Sequence, residues 1–347
     1  MTGQSNGAGS GIEYREIECK SALNRVRGMP FGWSLNPYRG CVHECRYCFA
    51  RATHRYFELG ADEDFSRIIF VKANLPEVLA GELARRSWKR ETVAIGTATD
   101  PYQPIEGQHR LTRRALELLA HSRTPVSIVT KGTMIVRDLD VLQEASERGG
   151  ATVCFSVPTV DEETWRSSEP GTPPPRQRLR ALERLNAAGV RAGVLMAPLL
   201  PGLSADAARI EETVRAAADA GARFIGANVL HLGPDVREYY LGYLEREHPE
   251  LLEGYARLYG AGRRRGTKYA PEAYHERVRR RIAEAKEAAG YTVEEERWEP
   301  DRGPEEQQLM LPLLESLPGG AACAETPAGA GLWEAPRRIA LTGRLAG

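Results

Sequence analysis

From about residue 92 onward the chain alternates short β-branched runs with longer amphipathic stretches, and this alternation narrows its fold more than any other feature. Such a repeat builds a parallel sheet covered by helices, because a parallel strand can be reached only through a crossover. Candidate strands are 92–97, 126–130, 151–157, 190–196 and 224–230, with a short first strand near 33–36. Helices are expected over 75–88, 111–120, 136–148, 175–188 and 205–220. Gly189 and Gly221 fall where helix-terminating glycines belong. The run 68–71 reads as one more edge strand, without a place in the repeat.

If the strands curl toward a barrel, residues at their C-terminal ends face the mouth where chemistry is built. Those ends carry Gly96-Thr97-Ala98-Thr99-Asp100-Pro101-Tyr102-Gln103-Pro104-Ile105-Glu106, then Val129-Thr130-Lys131-Gly132, then Cys154-Phe155-Ser156-Val157. Only six of the 47 basic residues are lysine, so Lys131 at a strand end is informative. Length leaves one large or two smaller domains open. The 42% hydrophobic content is ordinary for a soluble protein, and no stretch of about twenty apolar residues is present. Residues 1–10 are polar and lack the apolar centre of a signal peptide. A cytoplasmic location without membrane contact is expected. The 47 acidic residues balance the basic ones, giving no overall bias toward nucleic acid. A local basic stretch, Arg263 to Lys268 followed by Arg277, Arg279, Arg280 and Arg281, reads first as a solvated helical face.

Ahead of the repeat, Cys41, Cys45 and Cys48 stand three and then two residues apart, in Gly40-Cys41-Val42-His43-Glu44-Cys45-Arg46-Tyr47-Cys48-Phe49. Structural metal sites fill all four positions, whereas a [4Fe-4S] cluster on three thiolates keeps one iron open for chemistry. The alternative is a zinc-stabilised binding module without enzymatic activity, its fourth ligand coming from His43 or His54. No second Cys-x-x-Cys pair follows to support it. Six cysteines with three clustered fit a reducing compartment better than a disulfide framework.

The cysteine spacing, with Tyr47 before the third cysteine, resembles the radical S-adenosylmethionine (SAM) superfamily. Further motifs narrow the resemblance to the subfamily of spore photoproduct lyase and its relatives. These are Thr99-Asp100-Pro101-Tyr102-Gln103-Pro104-Ile105-Glu106, Val129-Thr130-Lys131, Phe155-Ser156-Val157, Ser168-Glu169-Pro170-Gly171-Thr172, Arg178-Leu179 and Gly193 to Pro198, in order between about Asn24 and Tyr269. The resemblance implies an α/β fold, a partial (β/α)6 TIM-type barrel with a C-terminal helical extension. Taken with composition, polar at the start and rich in Pro, Gly, Ala and Glu after about Pro300, it divides the chain into a flexible segment 1–22, a core 23–260, a helical extension 261–299 and a disordered tail 300–347. It also implies a [4Fe-4S] cluster on Cys41, Cys45 and Cys48 whose open iron chelates SAM. Reductive cleavage to a 5'-deoxyadenosyl radical would follow, with flavodoxin or ferredoxin as electron donor. Thr99 and Ser156 would offer hydroxyls to SAM, and Lys131 would meet its carboxylate. Asp100 and Glu106 are acceptor-rich candidates for a hydroxyl or an ammonium, and Glu169 is a loop residue whose family position brings it near the pocket. Tyr47 and Phe49 would pack beside adenine or form a dry wall around the cluster.

The resemblance stops short of the lyase reaction. The lyase family places a hydrogen-donor cysteine two residues before the position matched by Thr99, and here that residue is Thr97. Cys154, two residues before Ser156 and on the same strand face, is an alternative donor, with a buried small hydrophobe as its plainer account. The remaining cysteines, Cys19 and Cys323, are single, so auxiliary clusters are not expected. A nucleic-acid lesion, a small molecule and a protein side chain all stand as substrate expectations. In the tail, 307–313 forms a short amphipathic island.

Overall fold

The computed structural model describes residues 11–260 and 267–292. Its strands in chain order are β1 (Glu13–Ile17), β2 (Leu23–Arg25), β3 (Trp33–Leu35), β4 (Tyr38–Arg39), β5 (Ile68–Lys72), β6 (Val93–Ile95), β7 (Val126–Thr130), β8 (Ala151–Ser156), β9 (Arg191–Leu199) and β10 (Ile225–Val229). The larger sheet runs β10-β9-β8-β7-β6-β3-β2. From β3 to β10 every pairing is parallel, and β2 adds an antiparallel edge. The six parallel strands coincide with the six expected from the repeat. Helices Leu75–Leu83, Leu111–His121, Leu139–Arg148, Pro175–Ala187 and Ala207–Asp219 supply the crossovers. Two expected boundaries move: the first helix ends at Leu83, and 133–138 is a 3-10 turn leading into the helix that starts at Leu139. Gly189 (φ 80°) and Gly221 (φ 70°) do close their helices in the left-handed conformation.

The two faces of the sheet differ in kind. Toward the helices, Ile95, Ile128, Val153, Phe155 and Val194 are completely buried and form the main core. On the opposite face Ser127, Val129, Thr152 and Cys154 alternate with them and stay half-buried. Barrel interiors usually fill with bulky branched side chains. Small and polar residues here leave the inner face accessible.

The run 68–72 is not an edge of this sheet. It is the centre of a second sheet ordered β1-β5-β4, parallel to β1 and antiparallel to β4. Strand β1 lies inside the segment expected to be flexible, yet its five residues pair in register with β5. Sequence periodicity could not reveal this, because β1 is largely exposed and β4 is two residues long. The small sheet matters for position: β4 delivers the chain into the cysteine loop, which ends at the 3-10 helix Phe49–Phe57.

Helix Glu272–Ala288 lies against helix Ala207–Asp219 and buries Val278, Ile282 and Ala285. Its outer arginines are partly paired, Arg279 with Glu272 at 2.5 Å and Arg280 with Glu284 at 3.8 Å, as a solvated face would be. The tail 300–347, the island 307–313, Cys323 and Arg263 to Arg265 lie outside the described residues. Among the described residues no helix is long and apolar enough to cross a membrane.

Candidate cofactor site

The cysteine loop is fixed by backbone and side-chain bonds before any metal is considered. Gly40 enters it at φ 80°, and a Cβ there would stand 2.7 Å from the Ile68 carbonyl oxygen, so only glycine fits. Cys41 N donates to Phe65 O at 2.9 Å. Thr99 Oγ1 donates to Gly40 O at 2.5 Å, and Gln103 Nε2 reaches both Gly40 O (3.3 Å) and Thr99 Oγ1 (3.0 Å). Gln103 Oε1 in turn accepts from Val42 N at 3.3 Å. The loop is thereby clamped to the end of β6. Thr99, expected to offer its hydroxyl to SAM, here gives its proton to the loop.

Cys41 and Cys45 are buried, Cys48 is half-buried, and all three are free thiols. Burial pushes the Cys41 thiol well up, with the Asp100 charge and the neighbouring cysteines adding to it. Burial likewise raises Cys45, and Lys131 opposes the rise. Among the described residues no three His, Cys, Asp or Glu side chains gather tightly enough for one metal ion. The two histidines offered for zinc both have other contacts. His54 is a core residue whose Nε2 bonds Ile68 O at 2.9 Å, with Phe65 5.2 Å away edge-on. His43 Nδ1 lies 3.2 Å from Asp100 Oδ2.

Three strand ends converge above the loop. Asp100 (8% exposed) accepts from Thr130 Oγ1 at 2.7 Å, Lys131 N at 2.7 Å and Tyr102 N at 2.9 Å. Burial alone would favour its neutral form, but His43 and these donors outweigh that and hold the carboxyl well below its usual range. Lys131 Nζ donates to Ser156 Oγ at 2.9 Å, and Ser156 Oγ donates to Ala197 O at 3.0 Å. The lysine ammonium sits 5.8 Å from the centre of the Tyr47 ring. Burial works against its charge, yet Cys45 and Glu169 overcome this and raise its pKa.

The segment 168–172 supplies the wall opposite. Helix Glu162–Ser168 starts on Asp161, whose side chain accepts from Thr164 N at 2.8 Å, and stops because Pro170 disfavours helix in the residue before it. Glu169, expected as a loop residue, is thus the residue that closes a helix. The backbone then passes so close to the cysteine loop that a Cβ on Gly171 would stand 2.3 Å from Val42 O. Arg46 N donates to Ser168 O at 2.9 Å and Gly171 N to His43 O at 3.2 Å. Glu169 is 2% exposed. Its Oε1 accepts from the Tyr47 hydroxyl and its Oε2 from Arg178 Nη2 at 2.6 Å, with Lys131 Nζ 3.7 Å from Oε1. Arg178 is fully buried and held further by Ser156 O (2.8 Å), Pro173 O (2.8 Å) and Thr172 Oγ1 (2.5 Å).

Other expected residues are placed differently. Phe49 is 61% exposed, so it forms no dry wall, whereas Tyr47 is buried. Glu106 accepts from Tyr38, Arg137 and the backbone N–H groups of Thr112 and Arg113, and is fully used in holding the fold. Thr97 Oγ1 accepts from Asn36 Nδ2 at 3.1 Å. Cys154 does share a strand face with Ser156. Burial pushes its thiol up to about 11, moderated by Ser127. Sequence reading missed Gln103 and the His43–Asp100 contact; the polar residue four positions after Thr99 was the available signal.

A family model described as the radical SAM superfamily matches residues 35–217. An uncharacterised protein of Mycobacterium tuberculosis is 43% identical over 276 residues, covering 79% of this chain and 80% of the relative. An uncharacterised protein of Methanocaldococcus jannaschii is 27% identical over 194 residues, 56% of this chain and 70% of that one. A mutant of spore photoproduct lyase shares the fold with TM-score 0.61 at 17% identity, 79% of each chain being covered. A further mutant with bound AdoMet and dinucleoside spore photoproduct gives 0.61 at 15% identity, over 83% of this chain and 85% of that one. The chain belongs to the radical SAM superfamily and is a radical SAM enzyme, a class that works with a [4Fe-4S] cluster and SAM. The site suits that group: three free thiols in a clamped, largely buried loop, with the Lys131 ammonium 5.8 Å from the ring of Tyr47, the residue just before the third of them.

Proposed function

We propose that Cys41, Cys45 and Cys48 hold the cluster and that Lys131 and Ser156 receive the carboxylate end of SAM, for hydrogen abstraction from a substrate not yet assigned. The supporting observation is the state of Lys131. It is anchored by a neutral hydroxyl at 2.9 Å while its nearest carboxylate stands at 3.7 Å, so its charge remains available to a ligand. When bound, the cluster and SAM supply reductive cleavage of the sulfonium to a 5'-deoxyadenosyl radical, the electron coming from a flavodoxin- or ferredoxin-type donor.

The chain's own residues then have separable tasks. Thr99 and Gln103 keep the loop closed on β6, Asp100 fixes the backbone at Lys131, and the exposed Phe49 ring beside Cys48 is free to cover adenine. Cys154 is a neutral thiol on the accessible inner face and the candidate to return a hydrogen atom. Protein reconstituted anaerobically with iron and sulfide is expected to release 5'-deoxyadenosine on addition of dithionite and SAM. A fully loaded protein that releases none would overturn the reading, and bound zinc in place of iron would favour the binding-module alternative.

For the substrate, a nucleic-acid lesion is the reading that the fold shared with the lyase favours, an argument from analogy alone. Binding to lesion-bearing DNA that weakens steeply with salt would support it. Absent or salt-insensitive binding would turn the search to small molecules and protein side chains.

A further inference from the structure

The wall formed by 168–172 does more than close the site. Three bonds tie it to the cysteine loop: Arg46 N to Ser168 O, Gly171 N to His43 O, and the Tyr47 hydroxyl to Glu169. The last places a buried carboxylate one side chain away from the residues between Cys45 and Cys48. Arg178, with four bonds from three nitrogens, is immobile and neutralises Glu169 from behind. Lys131 faces Glu169 from the other side. Cys45 therefore lies in the field of two opposed charges on a wall almost closed to water, where fixed charges act at their strongest.

We propose that Glu169 is a positioning residue that sets the reduction potential of the cluster in opposition to Lys131, while its bond to Tyr47 holds the cysteine loop against the wall. This rests on the reading that Cys41, Cys45 and Cys48 carry the cluster. Reduction adds one electron to the iron-sulfur core. A nearby negative charge opposes that step and a nearby positive charge favours it, and the potential of such clusters follows local charge and exposure. Neither charge is free to relax away: Glu169 is held at both oxygens, and Lys131 is tethered to Ser156.

The test is a dye-mediated redox titration of the reconstituted cluster, followed by its electron paramagnetic resonance signal without SAM. Glu169→Gln keeps the shape, removes the charge and is expected to raise the midpoint potential. Lys131→Gln is expected to lower it. Glu169→Asp, which restores the charge, is expected to return it toward the wild-type value. Opposite shifts separate an electrostatic role from a merely structural one, because loosening of the loop would move all variants in the same direction. Glu169→Gln strands Arg178 and is the variant most at risk of misfolding; Glu169→Asp and Lys131→Gln then carry the test, wild-type-like and lowered respectively. Glu169→Gln or Lys131→Gln protein that loads fully and leaves the midpoint unmoved, or a shift of both in the same direction, overturns the proposal. A wild-type protein that takes up zinc or no cluster overturns the underlying reading and this proposal with it.

Discussion

Glu106 and Glu169 are both buried carboxylates, the first opening a short helix after β6 and the second closing helix Glu162–Ser168, and both bond a tyrosine and an arginine. They serve different ends. Glu106 accepts from Tyr38, from Thr112 N (3.0 Å) and Arg113 N (3.2 Å) at the start of a helix, and from Arg137 (3.1 Å). Arg137 also bonds Asp138 at 2.8 Å, and Asp138 meets Arg113 at 3.2 Å. Two acids there face two arginines, and the helix N-terminus adds further stabilisation. Around Glu169 one acid faces two cations, Arg178 and Lys131. Lys131 stands at the mouth beside the cysteines, bonded directly to a neutral hydroxyl, with the carboxylates of Glu169 and Asp100 acting on it from farther off. Similar chemistry thus makes a structural joint where every charge is directly paired and a ligand site where one cation is not.

The comparison is open to attack by substitution, most severely at the loop itself. Cys45→Ala should abolish cluster loading, with iron per chain falling to background and no 5'-deoxyadenosine formed; a loaded variant would remove the site from this loop altogether. Lys131→Ala should keep the cluster and weaken SAM binding at least about tenfold, roughly 1.4 kcal/mol, as read by titration into loaded protein. Unchanged affinity would mean that the Lys131 charge serves something else. Glu106→Gln should lower stability by about 2 kcal/mol in a denaturant melt and leave SAM affinity alone. If it alters affinity instead, the two carboxylates are not functionally separate. The smallest effect is expected from Thr97→Ala, which deletes one bond from Asn36: about 1 kcal/mol of stability, with no loss of 5'-deoxyadenosine formation.

Much of the fold was legible because local pattern and global fold agree. Each of the six parallel strands lies on a β-branched run, and the cysteine spacing, Lys131 and Ser156 could be marked from their places in the chain. What escaped notice depends on partners distant in sequence. Strand β5 was visible as an apolar run, but its neighbours β1 and β4 carry almost no signal of their own. Glu169 looked like a loop residue until the fold set it against Tyr47, 122 residues away. Asp100 and Glu106 looked equivalent, since both are acidic and follow β6. Their difference is which backbone amides they meet: those at Lys131 for one, those opening the helix at Leu111 for the other.

The sequence by itself determined the βα repeat, the three-thiol loop and the family, because periodicity and close spacing are properties of neighbouring residues. Only the tertiary structure decided which charges stay balanced and which residue faces which. Glu169, Arg178 and Lys131 meet from three separate segments, and the field they make at Cys45 depends on distance and burial, which come into being only when the chain folds.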